Sequence, residues 1–420
     1  MVKRRIVVAM SPTRRTVIAA AALMPFAAVV RAAEPDLSAL KPLPIPPPIA
    51  RAEYARRLVA AQSLMKPHGI GAVLIESGTS LAYFTGVRWG RSERPTVALI
   101  PAEGEPCIVT PFFEEPSIRE LLAVPATVRV WQEDQSPFAV MASFLRDRRL
   151  LSRPVAVEET TRFFIADGLA RAIGRPLVSA NPVVRACRMI KSAPEIALMQ
   201  AATDVTVAAY RWTHPRIEAG MTGAEIGVLM TAATRRLGGS PEFALVLVGE
   251  GSAYPHGTRE VQRVAPGQVV LMDCGCTVRG YQSDVSRTFV FGQASKEQRT
   301  VWDHMAQGQQ LAFRTAQLGT PAGAVDDAVR KLYAQLGYGP DYRLPGLSHR
   351  TGHGIGMDGH EPVNLVRGET TPLAVGMCFS DEPGIYLPGK FGVRLEDCFH
   401  MTPQGPRWFS KPPSSIDRPV

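Results

Sequence analysis

Five side chains able to bind metal ions limit the folds open to this chain, because they can act together only if distant segments converge. Each follows a strand-like run or lies in a glycine-rich turn, and none lies on a charged helix face: Asp273, Asp284, His353, Glu382 and Glu396. Carboxylates at the ends of buried apolar runs are costly unless they bind cations. Two divalent ions about 3.5–4 Å apart need carboxylates that bridge them. The set therefore predicts a fold that builds a two-metal hydrolytic site.

The first two acids belong to a predicted β-hairpin. The apolar run 268–273 ends in Asp273, a turn follows at 277–280, and the strand-like segment after it contains Asp284. On adjacent strands the two carboxylates would lie near each other, and strand alternation decides whether both face inward.

The second pair of acids lies on two further predicted strands, 376–382 and 392–400. Antiparallel pairing would place Glu382 and Glu396 nearly opposite each other, where like charges destabilise a sheet unless a cation is bound between them. Arg394 lies two residues before Glu396 and therefore on the same face of the strand. We expect Arg394 to orient one of the carboxylates.

Three histidines accompany these acids. His353 lies in the glycine-rich run 351–356, where the backbone can approach a site closely. The run is not a phosphate loop, since it lacks the strand–loop–helix setting and the Lys-Ser/Thr ending. His256 and His360 lie in turn-like segments, and each could donate a hydrogen bond to a substrate carbonyl or a tetrahedral intermediate.

The net charge of +9 comes mainly from the N-terminus. The first 32 residues carry six basic residues and no acid, so the remainder carries 9 − 6 = +3. This small excess argues against a nucleic-acid partner.

Residues 1–33 predict an export signal of the twin-arginine type. Arg14 and Arg15 precede an apolar run at 16–30 and a small-residue cleavage-like site. The run has about 15 residues, fewer than the ~20 that cross a membrane. We therefore expect a periplasmic or extracellular protein with no stable membrane span after signal removal. An uncleaved anchor and a true start at Met10 are the alternatives.

The remainder of the chain divides into three predicted parts. Residues 34–50 are proline-rich and predict an extended linker. Strands alternate with helices over 51–180, which predicts an α/β domain that ends at a break marked by Asn181-Pro182. Strands with helices on one side over 185–410 predict an α+β domain, whose predicted elements include helices at 222–237 and 296–317 and a strand at 281–291. The six cysteines form no Cys-x-x-Cys pair, which disfavours a zinc ribbon. A bridge between Cys378 and Cys398 stays open, because export would permit disulfides.

The C-terminal motifs resemble the pita-bread metallopeptidases, a family that includes Xaa-Pro aminopeptidases, prolidases, methionine aminopeptidases and the metal-free creatinases. The resemblance covers about 185–410, and 51–180 is similar to the N-terminal domain that Xaa-Pro aminopeptidases, prolidases and creatinases share. It is carried by the motifs Asp273-Cys-Gly, Gly280-Tyr-Gln-Ser-Asp284-Val-Ser-Arg-Thr-Phe, His353-Gly-Ile-Gly-Met-Asp-Gly-His360-Glu-Pro, Glu382-Pro-Gly-Ile-Tyr and Gly392-Val-Arg-Leu-Glu396-Asp.

The resemblance also implies roles for these residues. Asp273 and Glu396 would bridge two metal ions, His353 and Glu382 would complete one ion, and Asp284 would chelate the other. Glu382 would in addition act as the proton shuttle. His256 and His360 match family histidines that act on the substrate, and the resemblance implies a homodimer. Four carboxylates and one imidazole favour Mn²⁺, with Co²⁺, Fe²⁺ and Zn²⁺ as alternatives.

The expected activity is removal of N-terminal residues from Xaa-Pro peptides or dipeptides by a metal-activated water. A non-peptidase hydrolase or lyase acting on a small molecule is the alternative, since a fold does not fix its chemistry. A metal-free binding protein would be expected to have lost some of the five ligands, and all five are present.

Overall fold

The alternating strands and helices after residue 50 fold into a mixed six-stranded sheet with helices packed against it. The computed structural model describes residues 35–420, so the predicted export signal at 1–33 lies outside the described residues. The strands are β1 (Ala72–Glu76), β2 (Val97–Pro101), β3 (Cys107–Pro111), β4 (Thr127–Trp131), β5 (Val155–Val157) and β6 (Val178–Ser179). The helices are α1 (Arg51–Met65), α2 (Thr79–Thr85), α3 (Glu115–Leu121), α4 (Pro137–Asp147), α5 (Phe163–Ile173) and α6 (Asn181–Met189).

The order of strands in this sheet is β4-β3-β2-β1-β5-β6. β1 pairs antiparallel with β2 and parallel with β5. Every residue of β1, β2 and β3 is buried, which explains why these strands read as continuous apolar runs rather than as alternating ones. The sequence indicated a break at Asn181-Pro182, but α6 begins there. Proline in the first turn of a helix loses no hydrogen bond, so it marks a start as well as a stop.

The C-terminal region contains four further helices: α7 (Ala193–Thr213), α8 (Gly223–Leu237), α9 (Lys296–Thr315) and α10 (Ala322–Gln335). Its strands are β7 (Ser240–Val248), β8 (Val269–Val278), β9 (Tyr281–Gln282), β10 (Val285–Val290), β11 (Gly352–Gly354), β12 (Glu361–Leu365), β13 (Cys378–Asp381), β14 (Gly384–Leu387), β15 (Phe391–Arg394), β16 (Asp397–Thr402) and β17 (Gly405–Trp408). Two of the helices, α8 and α9, begin with a capping box, in which a Ser or Thr side chain and a Glu or Gln three residues later satisfy the free amides.

Two larger sheets, a two-stranded sheet of β14 and β15, and two helix pairs make up this region. β10, β8 and β7 form one of the larger sheets, with β9 paired to β8, and β12, β11, β13, β16 and β17 form the other. α7 and α8 share a hydrophobic cluster with β8, and α9 and α10 share another with β13 and β16. This is the α+β pita-bread architecture expected from the sequence, attached to an α/β N-terminal region.

A short bridge joins the two sheets. Ser286 on β10 and Glu396, just before β16, exchange backbone hydrogen bonds of 3.2 and 3.1 Å. The alternate residues Val270, Met272 and Cys274 of β8 face the α7–α8 cluster. Asp273 therefore faces the opposite way, towards the second sheet, because successive side chains of a strand alternate in direction.

The proline-rich segment 37–50 has no helix or strand and lies against the C-terminal region. The Leu43 amide donates to the Leu237 carbonyl at 2.9 Å, and Arg236 Nε donates to the Leu40 carbonyl at 3.0 Å. Leu37, Leu40, Leu43 and Ile49 pack against the core formed by α7 and α8.

All six cysteines are free and buried. Cys378 and Cys398 lie on paired strands, as their positions suggested, but Cys378 is opposite His400 and Cys398 is opposite Ser380. The two thiols are therefore offset, and no disulfide joins them. Over residues 35–420, none of the helices combines the length and apolar character required to traverse a lipid bilayer.

Candidate metal centre

The five predicted ligands converge on one place between the two sheets. Residues 35–420 contain three overlapping groups of potential ligands, and within each group the ligand atoms lie within 4.8 Å of one another. One group joins Asp273, Asp284 and Glu396, and a second joins His353, Glu382 and Glu396. Glu396 is common to both groups, which is the position that a carboxylate bridging two cations would need.

The first sheet supplies Asp273 and Asp284. Asp273 is opposite Ser286 in the β8–β10 pairing. Asp284 lies two residues before Ser286, in the gap between β9 and β10. The sequence predicted one continuous strand from 281 to 291, and the structure breaks it here. The break places a carboxylate at a strand end, beside its partner on β8.

The second sheet supplies the other three ligands. β13 and β16 are paired so that Asp381 is opposite Asp397, which brings Glu382 and Glu396 together immediately beyond the paired strands. His353 lies on β11, and its backbone amide donates to the Ser380 hydroxyl at 3.0 Å. His353 Nε2 lies 3.1 Å from Glu382 Oε1 and 3.8 Å from Asp284 Oδ2.

The chemistry of these donors fits divalent cations. Asp273 Oδ1 and Glu396 Oε1 are buried, and neither has a hydrogen-bond partner within residues 35–420. Burial and the charges of Asp273 and Glu382 raise the pKa of Asp284 well above its ordinary value. Burial and the charge of Asp284 do the same to the pKa of Glu396. Buried carboxylates that repel one another and lack donors are stable in their charged form only with a cation between them.

Arg394 is the one cation that the protein itself directs at this cluster in the described part of the chain. Its Nη2 lies 2.5 Å from Asp273 Oδ2, and its Nε donates to the Ser286 hydroxyl at 3.1 Å. The Ser286 hydroxyl in turn donates to Glu396 Oε2 at 2.7 Å. Arg394 thus occupies one oxygen of Asp273 and leaves Oδ1 free, which suits a residue that orients a metal ligand.

A cavity of about 780 Å³ opens onto the cluster. His256 and His360 both line it, as do the apolar side chains of Phe243 and Leu245. The His360 ring lies 4.1 Å from the His353 ring, centroid to centroid. Burial and the charge of His353 lower the pKa of His360 to about 4, so His360 is neutral at neutral pH and can donate through one ring nitrogen.

Sequence reasoning missed one further residue of the cavity wall, His349, and the buried Tyr386 that it contacts. His349 Nε2 lies 2.7 Å from the Tyr386 hydroxyl, and Arg394 Nη1 donates to the same hydroxyl at 3.1 Å. Burial is the main cause that lowers the pKa of His349 to about 4. The sequence feature that could have indicated His349 is its position four residues before the predicted ligand His353. Tyr386 gave no signal beyond its place in the Glu382 motif.

Comparisons with known proteins agree with this geometry. The profile of metallopeptidase family M24 matches residues 197–403. The profile of the Creatinase/Prolidase N-terminal domain matches residues 57–190.

Individual relatives cover most of the chain. An uncharacterized peptidase of Schizosaccharomyces pombe is 34% identical over 365 residues, which are 81% of this chain and 77% of the relative. An Xaa-Pro dipeptidase of Lactobacillus delbrueckii is 28% identical over 359 residues, 82% of this chain and 94% of the relative. The crystal structure of dipeptidase PepE from Mycobacterium ulcerans is 31% identical, has a TM-score of 0.81, and matches over 88% of this chain and 98% of its own.

Proposed function

Since the chain belongs to metallopeptidase family M24, we propose that it is a peptidase that uses two divalent metal ions to cleave Xaa-Pro dipeptides or the first residue of Xaa-Pro peptides. The observation that carries this proposal is the convergence of five ligands, two of them with unpartnered buried oxygens, at the floor of one cavity. Relatives named dipeptidase and Xaa-Pro dipeptidase support the choice of substrate.

The proposed roles of the protein's own residues are those that the family resemblance implies, and the positions of these residues support them. Asp273, Asp284, His353, Glu382 and Glu396 would hold the ions, which when bound polarise a peptide carbonyl and lower the pKa of an attacking water. The Glu382 carboxylate would accept the proton of that water and pass it to the leaving amine. His256 and His360 would donate hydrogen bonds to the oxygen on which negative charge develops.

The ligand set favours Mn²⁺. Four of the five ligands are carboxylates, which are hard donors, and one is an imidazole of borderline softness, whereas the six buried cysteines contribute no thiolate to the clusters of potential ligands in residues 35–420. Co²⁺, Fe²⁺ and Zn²⁺ are the alternatives. Metal analysis of the protein purified without added metal, followed by activity measurements with each ion, decides among them.

The test of the proposed function is an Xaa-Pro peptide panel with Mn²⁺ for the wild type, Asp284→Ala and Glu382→Ala. We expect both variants to lose nearly all activity. Glu133→Gln, which removes an exposed carboxylate far along the chain from the ligands, is the control and should retain activity. Unchanged turnover in both alanine variants would eliminate this mechanism. Turnover of small non-peptide substrates with none of any peptide would favour a hydrolase or lyase of another kind.

We also propose that residues 1–33 direct export by the twin-arginine route to the periplasm or the extracellular space. The adjacent Arg14 and Arg15, the short apolar run and the small residues after it support this proposal. Replacing both arginines by lysine should leave the protein in the cytoplasmic fraction of a producing cell. Continued export of that variant would exclude the route.

A homodimer is proposed from family resemblance alone. Light scattering on the purified protein gives its molar mass in solution, and a mass of one chain at micromolar concentration would contradict the proposal.

A further inference from the structure

Asp358 stands out near the cavity because two helices of the N-terminal region bind its side chain. The Thr79 hydroxyl, at the start of α2, lies 2.8 Å from each carboxylate oxygen of Asp358. Arg188, near the end of α6, donates from Nη2 to Asp358 Oδ2 at 2.7 Å and from Nη1 to the Ser80 hydroxyl at 2.9 Å. Asp358 itself lies between β11 and β12, in the C-terminal region. Its carboxylate is therefore a contact by which the N-terminal region holds the segment that joins these strands.

This joining segment, residues 355–360, has little order of its own. It contains neither helix nor strand. Gly359 separates Asp358 from His360, and a Cβ at Gly359 would have no atom within 4 Å. A glycine loses more conformational freedom on folding than any other residue, and no packing restrains this one. Contacts from outside the segment must therefore fix its path.

His360, at the end of the segment, depends on that path. Its side chain is exposed to the cavity, and its ring lies 4.1 Å from the ring of His353, centroid to centroid. Within residues 35–420 the His360 imidazole makes no hydrogen bond. The position of the imidazole is consequently set by the backbone that carries it.

The backbone is held on both sides of His360 by one arginine. Glu361 Oε1 accepts from the amides of Met357 and Asp358 at 3.0 and 3.1 Å. Arg188 Nη2, which binds Asp358, also donates to Glu361 Oε1 at 2.5 Å. The same guanidinium thus binds the carboxylates two residues before and one residue after His360. This arrangement limits the directions from which the imidazole can enter the cavity.

We propose that Asp358 is a positioning residue, whose contacts with Thr79 and Arg188 set the direction of the His360 imidazole. The inference rests on the proposed peptidase function, in which His360 donates to the reacting oxygen. Such a donor stabilises the developing charge only at about 2.7–3.1 Å from that oxygen, so a small shift of the loop removes its effect. Asp358 does not itself line the cavity, and it acts on the reaction through His360.

The experiment measures kcat/KM for Leu-Pro at saturating Mn²⁺ in Asp358→Ala, in His360→Ala and in the double variant. Asp358→Ala should lose between about ten-fold and about 10²-fold, the cost of misplacing a group by roughly 1 Å. The alanine keeps the backbone amide that Glu361 binds. With His360 already replaced, Asp358→Ala should change kcat/KM less than about two-fold, because the group that it positions is absent.

Two further variants separate positioning from a general loss of structure. Asp358→Asn keeps an oxygen that accepts from Thr79, and it should recover at least part of the kcat/KM that Asp358→Ala loses. Asp147→Ala removes a carboxylate that pairs with Arg129 at 2.8 Å within the N-terminal region, and this matched control should retain wild-type kcat/KM. Bound metal per chain is measured for every variant and should equal that of the wild type.

An equal loss from Asp358→Ala with His360 present and with His360 replaced would overturn the positioning role, while the peptidase function stands. Wild-type kcat/KM in Asp358→Ala would do the same. If His360→Ala abolishes turnover, Asp358→Asn decides alone, and the absence of any recovery overturns the role. A metal-loaded wild type that cleaves no peptide would overturn both the positioning role and the proposed function.

Discussion

Two clusters of carboxylates, most of them buried, lie next to each other along the segment 353–361, and their negative charges are balanced in different ways. The first, here called the ion-pair cluster, consists of Arg188, Lys191, Asp358 and Glu361. Arg188 Nη2 lies 2.7 Å from Asp358 and 2.5 Å from Glu361, and Lys191 Nζ lies 3.0 Å from Glu361. The second is the metal centre, where four carboxylates share a single arginine, Arg394.

The direction of the pKa shifts follows this difference. Burial opposes ionisation of Glu361, but the charges of Lys191 and Arg188 outweigh it and lower its pKa to about 2. In the metal centre, burial and neighbouring carboxylates raise the pKa of Asp284 and Glu396. Equally buried carboxylates thus have pKa values shifted in opposite directions. The difference is that Lys191 and Arg188 both pair with Glu361, whereas the metal centre has only Arg394. The metal centre is built to receive its cations from solution.

Removal of metal should have the largest effect, because only the metal centre depends on external cations. After dialysis against a chelator, activity on Xaa-Pro peptides should fall on the order of 10³-fold, since bound ions supply several kcal/mol of transition-state stabilisation. Mn²⁺ should restore activity and raise the unfolding temperature. In the Asp284→Ala protein, Mn²⁺ should neither restore activity nor raise the unfolding temperature. Full activity of a protein without measurable metal would show that the metal centre does not depend on external cations.

Glu361→Gln should destabilise the fold by about 3 kcal/mol at neutral pH, because it removes the anion that two buried cations share. A carboxyl whose folded pKa is lowered contributes stability above its unfolded value, near 4.5, and loses that contribution as the pH falls towards 2. The difference in unfolding free energy between wild type and variant should therefore shrink between pH 4.5 and 2. Urea titrations at several pH values measure it.

The exposed Arg94–Glu133 pair provides the control for that measurement. Glu133→Gln should have a much smaller effect than Glu361→Gln, because solvent screens exposed ion pairs. Equal losses in the two variants would show that the ion-pair cluster contributes no more than a surface contact.

Asp284→Asn should stabilise the metal-free protein by about 1–2 kcal/mol, the reverse of the effect at Glu361, because it removes a buried like charge without removing an ion-pair partner. Asp273→Asn is the matched comparison and should destabilise the metal-free protein, since it leaves Arg394 without its carboxylate. Thermal unfolding in the presence of a chelator shows whether each substitution raises or lowers the stability of the metal-free protein. A loss of stability in Asp284→Asn would mean that the metal-free site is already neutralised.

The smallest expected effect concerns the link between the ion-pair cluster and the N-terminal region. The Thr79 hydroxyl on α2 donates to Asp358 at 2.8 Å. Thr79→Val should cost about 1 kcal/mol, the usual net value of one hydrogen bond, and should raise KM slightly because Asp358 lies in the loop that carries His360. Thr79→Ser should behave as the wild type. A Thr79→Val protein as stable as the wild type would show that this hydrogen bond does not contribute to stability.

Much of the fold follows from local sequence pattern. The structure has a helix at Gly223–Leu237 where 222–237 was predicted and one at Lys296–Thr315 where 296–317 was predicted. Apolar periodicity and capping residues act within a few positions, so they can be read from one sequence. The α6 helix was missed because its proline start resembles a break.

The amino-acid sequence by itself determined which residues are candidate metal ligands, because carboxylates and histidines at strand ends and in glycine turns are visible one segment at a time. Only the tertiary structure decided which of them meet. The Ser286–Glu396 bridge, the pairing of Lys191 with Glu361 and the contact of His349 with Tyr386 join residues far apart in the chain. Such contacts depend on strand register and on the packing of two sheets, and no local pattern encodes either.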